Sequence, residues 1–130
     1  MPRAYTVATA SLALQVSTKW LDNILSHHQV QGVSQTKQGV ARRLSIESLT
    51  ILAIGLLLIQ DLDVPVANAL GIATQLVNSG GTAALPGSVQ IQINLDNATA
   101  QLLERLERAV ESAPLPRRGR PPQKATGRLD

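Results

Sequence analysis

The sequence predicts a mainly α-helical protein with a small β component. Three observations carry that prediction. Residues 5–79 hold short runs of aliphatic residues at helical spacing, several opened by a Ser or Asp cap. Residues 89–95, VQIQINL, alternate apolar and polar without a break, which is the period of a half-buried strand. Residues 114–130 are polar, basic and proline-containing, a composition that does not fold by itself.

The elements follow in chain order. In Thr9 to Leu14, Ala10, Ala13 and Leu14 share one helical face, and Gln15-Val16 interrupts the pattern. Ser17 is a good N-cap for a second helix over 18–27, and two short helices with a tight break between them form a helix-turn-helix arrangement. Residues 30–34 and 40–44 read as two short strands joined by the polar loop QTKQG, a reasonable hairpin connection. Ser45 caps a helix over 46–61 whose aliphatic residues cover more than one face, so it is central to its domain or buried by a partner chain. Asp63 and Pro65 have the form of a cap and a first helical position for a fourth helix, about 64–77. The stretch NSGGTAALPG, 78–87, has the composition of a linker. After strand 89–95, Asp96 caps a helix of about 97–112 with Leu102, Leu103, Leu106, Ala109 and Val110 on one face, and Glu104 is spaced to pair with Arg108.

Composition limits what such a chain can be. Of 130 residues, 44% are hydrophobic, yet there is one Trp, one Tyr and no Phe, so the core is aliphatic. A small aliphatic core is marginal alone and favours help from oligomerisation. Strand 89–95 needs a pairing partner, and no second comparable strand is evident. It is therefore expected to pair with its copy in a second subunit through Val89, Ile91, Ile93 and Leu95, with Leu102, Leu106 and Val110 of the following helix packed over it.

The net charge is +3, and its distribution is uneven. Residues 114–130 carry five basic groups against the single Asp130, which suits a polyanionic partner. The absence of cysteine fits a reducing compartment. The N-terminus does not read as a signal peptide, and the apolar run 51–59 is too short to cross a bilayer. Catalysis has little to build on. His27 and His28 are adjacent, so on a helix they point about 100° apart and make a poor metal pair. Without a phosphate loop, a nucleophile–base pair or clustered carboxylates, no enzyme activity and no cofactor are expected.

The order of these elements resembles the N-terminal DNA-binding domain of the MerR-type regulators. The resemblance covers about residues 5–77. It begins at Tyr5-Thr6-Val7, runs through LQVSTKWLDNIL (14–25), and resumes in QDLDVPVANALGIATQL (60–76). It implies a winged helix-turn-helix of four helices with a small β-hairpin wing. The helix starting at Ser17 would enter the major groove, with Ser17, Thr18, Lys19, Trp20, Asn23 and His27 as contacts. Lys37, Arg42 and Arg43 of the wing would touch the backbone. Trp20 stands where that family has Thr, and Asp22 where it has Arg; a carboxylate facing phosphate weakens docking unless it accepts from a cytosine amino group. The family's sensing cysteines and long coiled coil are missing.

In the tail, Arg118-Gly119-Arg120-Pro121 is similar to the AT-hook core. Arg117 precedes it, and the glycine lets the backbone approach the floor of a narrow A·T-rich minor groove. The combined expectation is a homodimeric, nucleoid-associated cytoplasmic regulator or silencer that binds A·T-rich double-stranded DNA. A nucleoid-associated or excisionase-like architectural protein is one alternative, and a protein-interaction adaptor that does not bind DNA is another.

Overall fold

The computed structural model describes residues 4–35 and 41–112. It is mainly helical, with five helices and two small antiparallel sheets among the described residues. Strand β1 (Ala4–Tyr5) is followed by helices α1 (Val7–Leu14) and α2 (Thr18–His27), then by strands β2 (Val33–Ser34) and β3 (Arg43–Ser45). Helices α3 (Ile46–Leu62) and α4 (Val66–Asn78) follow, then strands β4 (Thr82–Leu85) and β5 (Val89–Gln92), and finally helix α5 (Leu95–Ser112).

Local chemistry sets the first two helices. The Thr6 hydroxyl accepts from the Thr9 amide at 3.2 Å, so α1 starts two residues earlier than the spacing of its alanines predicts. It ends where Gln15 turns left-handed (φ 60°, ψ 44°) and its N–H bonds back to Leu12 and Ser11. Ser17 then accepts from the Trp20 amide at 3.0 Å and opens α2, as expected. Leu21 and Ile24 lock the inner face of α2 into the core.

The predicted hairpin forms with shorter arms, Val33 opposite Leu44 and Ser34 opposite Arg43. Its connecting segment, 36–40, lies outside the described residues. Strand β1, which the residue pattern does not reveal, pairs with the other edge of β3 (Ala4 with Ser45, Tyr5 with Leu44). Two residues are too short for a period to show, and only the tertiary partner makes them a strand. Gly32 (φ +91°) closes this sheet onto α3, because a Cβ there would lie 2.4 Å from Ser45 Oγ and 3.0 Å from the Ser48 amide nitrogen.

Helix α3 is apolar on most sides because its own chain surrounds it. It packs against α1, α4, α5 and β3, and Leu49, Ile51, Leu52, Ile54, Leu56 and Leu58 are all buried. Burial inside one chain thus accounts for most of its pattern, while Leu57 and Leu62 are exposed. Asp63 has the opposite role to the expected one. It ends α3 in the left-handed region (φ 55°), and Pro65 is the N-cap of α4.

The segment 78–87 is not a linker. Its glycines reverse the chain: Gly80 (φ 74°) follows the end of α4, and the Gly81 N–H bonds to the Leu76 carbonyl at 2.8 Å, a glycine C-cap. Thr82–Leu85 then forms β4, which pairs with β5 through the turn at Pro86-Gly87-Ser88. The expectation that strand 89–95 finds no partner in its own chain is thereby corrected. Glycine, serine, threonine and proline are as typical of hairpin turns as of linkers, and in β4 the small Ala83 is sufficient to fill the core side. The cap of α5 is also corrected. Asn94 Oδ1 accepts from the Asn97 amide at 2.9 Å, which leaves Asp96 in the first turn, where its charge suits the helix dipole.

Helix α5 packs on α1 and α3, and its Leu102, Leu106 and Ala109 join the same hydrophobic core as Leu14, Leu49 and Ile54. Residues 88–112 are therefore integrated with the helices before them. Leu102 and Leu106 are spent inside the chain and offer no dimer contact. Ile91, Ile93 and Leu95 are half-buried, whereas Val89 and Val110 are exposed. The expected Glu104–Arg108 ion pair forms on the wet side of α5.

Candidate nucleic-acid interface

Helix α2 presents a continuous polar face. Thr18, Lys19, Asp22, Asn23, Ser26 and His27 are exposed, while Leu21 and Ile24 on the opposite side are buried. The 3.6-residue period brings 19, 22, 23 and 26 into line, and Ser17, Lys19, Trp20, Asp22, Asn23 and Ser26 border one shallow hollow along the helix. Trp20 is half-buried and packs against the core, so it anchors the helix as well as lining the hollow.

The strand β3 side of the hairpin comes next to this face. Arg42 Nη1 lies 3.5 Å from Asp22 Oδ1, and Nη2 donates to Ser26 Oγ at 3.2 Å. The Asp22 carboxylate on α2 and the Arg42 guanidinium next to β3 therefore compensate one another. Arg43 is exposed and pairs across the sheet with Ser34. Ser26 has no place among the residues read from the sequence. Its position, four residues after Asp22 on an exposed helical face, is the signal that would have found it.

His27 Nδ1 lies 2.8 Å from the Asn23 carbonyl oxygen. A carbonyl only accepts, so that nitrogen donates and Nε2 is left for solvent or a ligand. Farther along, a reciprocal amide pair ties the turn before β2 to the end of α4: Gln31 Nε2 donates to Asn78 Oδ1 at 2.8 Å, and Asn78 Nδ2 donates to Gln31 Oε1 at 3.2 Å.

The structure thus gathers Ser17, Thr18, Lys19, Trp20, Asn23, His27 and Arg42 on or beside one helical face, with Arg43 on the adjoining strand. Lys37, Arg117, Arg118, Gly119, Arg120 and Pro121 lie outside the described residues. Among the described residues there is no group of three or more His, Cys, Asp or Glu side chains that could hold a metal ion. No helix among them is long and apolar enough to cross a membrane. No protein-family model, no curated protein and no solved structure matches the chain.

Proposed function

We propose that the chain is a homodimeric DNA-binding regulator or silencer of the winged helix-turn-helix kind. In this reading α2 enters the major groove, the β2–β3 hairpin meets the phosphate backbone, and Arg118-Gly119-Arg120-Pro121 lies in an A·T-rich minor groove. The observation that carries the reading is the two-sided character of α2. Its apolar side is locked into the core, while Thr18, Lys19, Asn23 and His27 are held outward on a capped helix beside Arg42 and Arg43. Donors fixed on a rigid helix contact base edges and phosphates at little entropic cost, and phosphate contacts need such donors.

The proposed dimer contact is the outer edge of β5. Ile93 N–H bonds to the Gly81 carbonyl at 2.8 Å, so residues 89, 91 and 93 direct their backbone groups toward β4. The backbone groups of Gln90 and Gln92 point the other way, and both residues are exposed. From 64 to 95 the chain carries no charged side chain, so pairing this strand with its copy about a two-fold axis sets no like charges opposite each other.

Fluorescence anisotropy of the intact chain on mixed-sequence and A·T-rich duplexes, over a range of salt, tests the DNA reading. The expected result is a linear fall of log affinity with log salt, shallower by about one in slope in Lys19→Ala and in Arg43→Ala. Truncation after Ala113 should remove any A·T preference. Absence of salt-dependent binding refutes the reading, and a monomer at micromolar concentration in sedimentation equilibrium refutes the dimer.

A further inference from the structure

We infer that the partly open cavity bordered by the end of α1, residues 50–60 of α3 and the first turns of α5 is a binding site for a small carboxylate with an apolar body. The cavity has a volume of about 220 Å³. A dry aliphatic cavity of about 150 Å³ holds one benzene, so this one accommodates roughly nine non-hydrogen atoms.

Its lining divides by chemistry. Leu14, Ala53, Ile54 and Leu102 supply an apolar floor, while Gln15, Gln60 and Gln101 supply amide groups. Arg105 brings a positive charge, and among the described residues no carboxylate lines the cavity. On α5, Ala98, Gln101, Leu102 and Arg105 recur at helical spacing, so the guanidinium stem belongs to the same face as the floor residues. The neighbouring Arg108 is held by Glu104, whereas Arg105 has no ion-pair or hydrogen-bond partner among the described residues. An apolar hollow with a few convergent polar groups is the usual form of a small-molecule site. A single guanidinium matches a monoanion, and its fork geometry matches a carboxylate in particular. Among the described residues one cation and neutral amides line the site, less charge than a phosphate dianion calls for.

The cavity does not include the exposed face of α2, so the inference is independent of the DNA reading. The probes are octanoate, phenylacetate, octanol and octylamine, titrated into the intact chain by calorimetry and amide-resolved NMR. Octanoate or phenylacetate is expected to bind saturably, at least about tenfold more tightly than octanol, with shifts centred on Leu14, Ala53 and Leu102. Octylamine is expected not to bind. Arg105→Gln, at a residue that lines the cavity but is exposed, should reduce carboxylate affinity about tenfold and leave octanol unchanged. Ala98→Leu should abolish binding of both by filling the space. The inference is overturned by the absence of saturable carboxylate binding up to about 10 mM, by equal binding of acid and amine, by shifts centred elsewhere, or by an Arg105→Gln variant that binds carboxylate as the parent does.

Discussion

Replacing Asp22 by Asn is the sharpest perturbation of the proposed interface. Asp22 holds Arg42 at 3.5 Å, and Ser26 helps at 3.2 Å, so the guanidinium lies along α2 instead of reaching outward. Both side chains are partly exposed, 24% for Arg42 and 55% for Asp22, and breaking such a pair costs about 0–1 kcal/mol of stability. The fold should therefore survive. Two effects on DNA affinity then act in the same direction. A carboxylate about 7 Å from a phosphate in water is repelled by roughly 0.6 kcal/mol, a factor of about three that the substitution removes. Released Arg42 also gains one phosphate contact, which steepens the log–log salt slope by about 0.9 and makes the fall in affinity between about 50 and 200 mM salt roughly 3.5 times larger. At about 0.1 M salt, Asp22→Asn should bind about threefold to tenfold more tightly in the anisotropy assay. The double variant Asp22→Asn with Arg42→Gln should return the slope to that of the parent. Unchanged or weaker binding by a folded Asp22→Asn variant, with the parent's slope, would refute the placement of the α2–β3 face against DNA.

Two further pairs of substitutions test the packing around α5 and β4. Leu106 is 1% exposed between α5 and the helices beneath it, so Leu106→Ala should cost about 3 kcal/mol in urea denaturation. Leu103→Ala, at a residue 43% exposed, should cost less than about 1 kcal/mol; equal costs would mean that α5 is not docked as described. Gly80 and Gly81 both have positive φ, but a Cβ at Gly81 would lie 2.7 Å from the Ile93 carbonyl oxygen, whereas nothing lies within 4 Å at Gly80. Gly80→Ala should thus cost only the left-handed penalty, about 1 kcal/mol, and Gly81→Ala at least about 2 kcal/mol. Matching thermal unfolding shifts for the two variants would contradict the close approach of Gly81 to Ile93.

By itself the sequence determined the features written in local interactions. Ser17 and Ser45 announce the starts of α2 and α3 because a cap is a bond between residues three apart. The alternation from Val89 announces β5, although the strand ends at Gln92 and Leu95 already begins α5, and the spacing of Leu102, Leu106 and Ala109 announces the buried face of α5. Lys19, Asn23 and His27 likewise follow as an exposed set once the helix period is known. What lies across each of these surfaces is a different kind of information. The partner of β5 turned out to be Thr82–Leu85, four residues with no strong strand pattern, and the cover for α3 turned out to be the chain's own α1, α4 and α5. The pairing of Asp22 with Arg42, and the cavity that brings Gln15, Gln60 and Arg105 around one space, join residues far apart in the chain. Amphipathic periods state that a face must be buried but not what buries it, because hydrophobic attraction is non-directional. Only the tertiary structure, where all faces compete for a single core, decided those pairings.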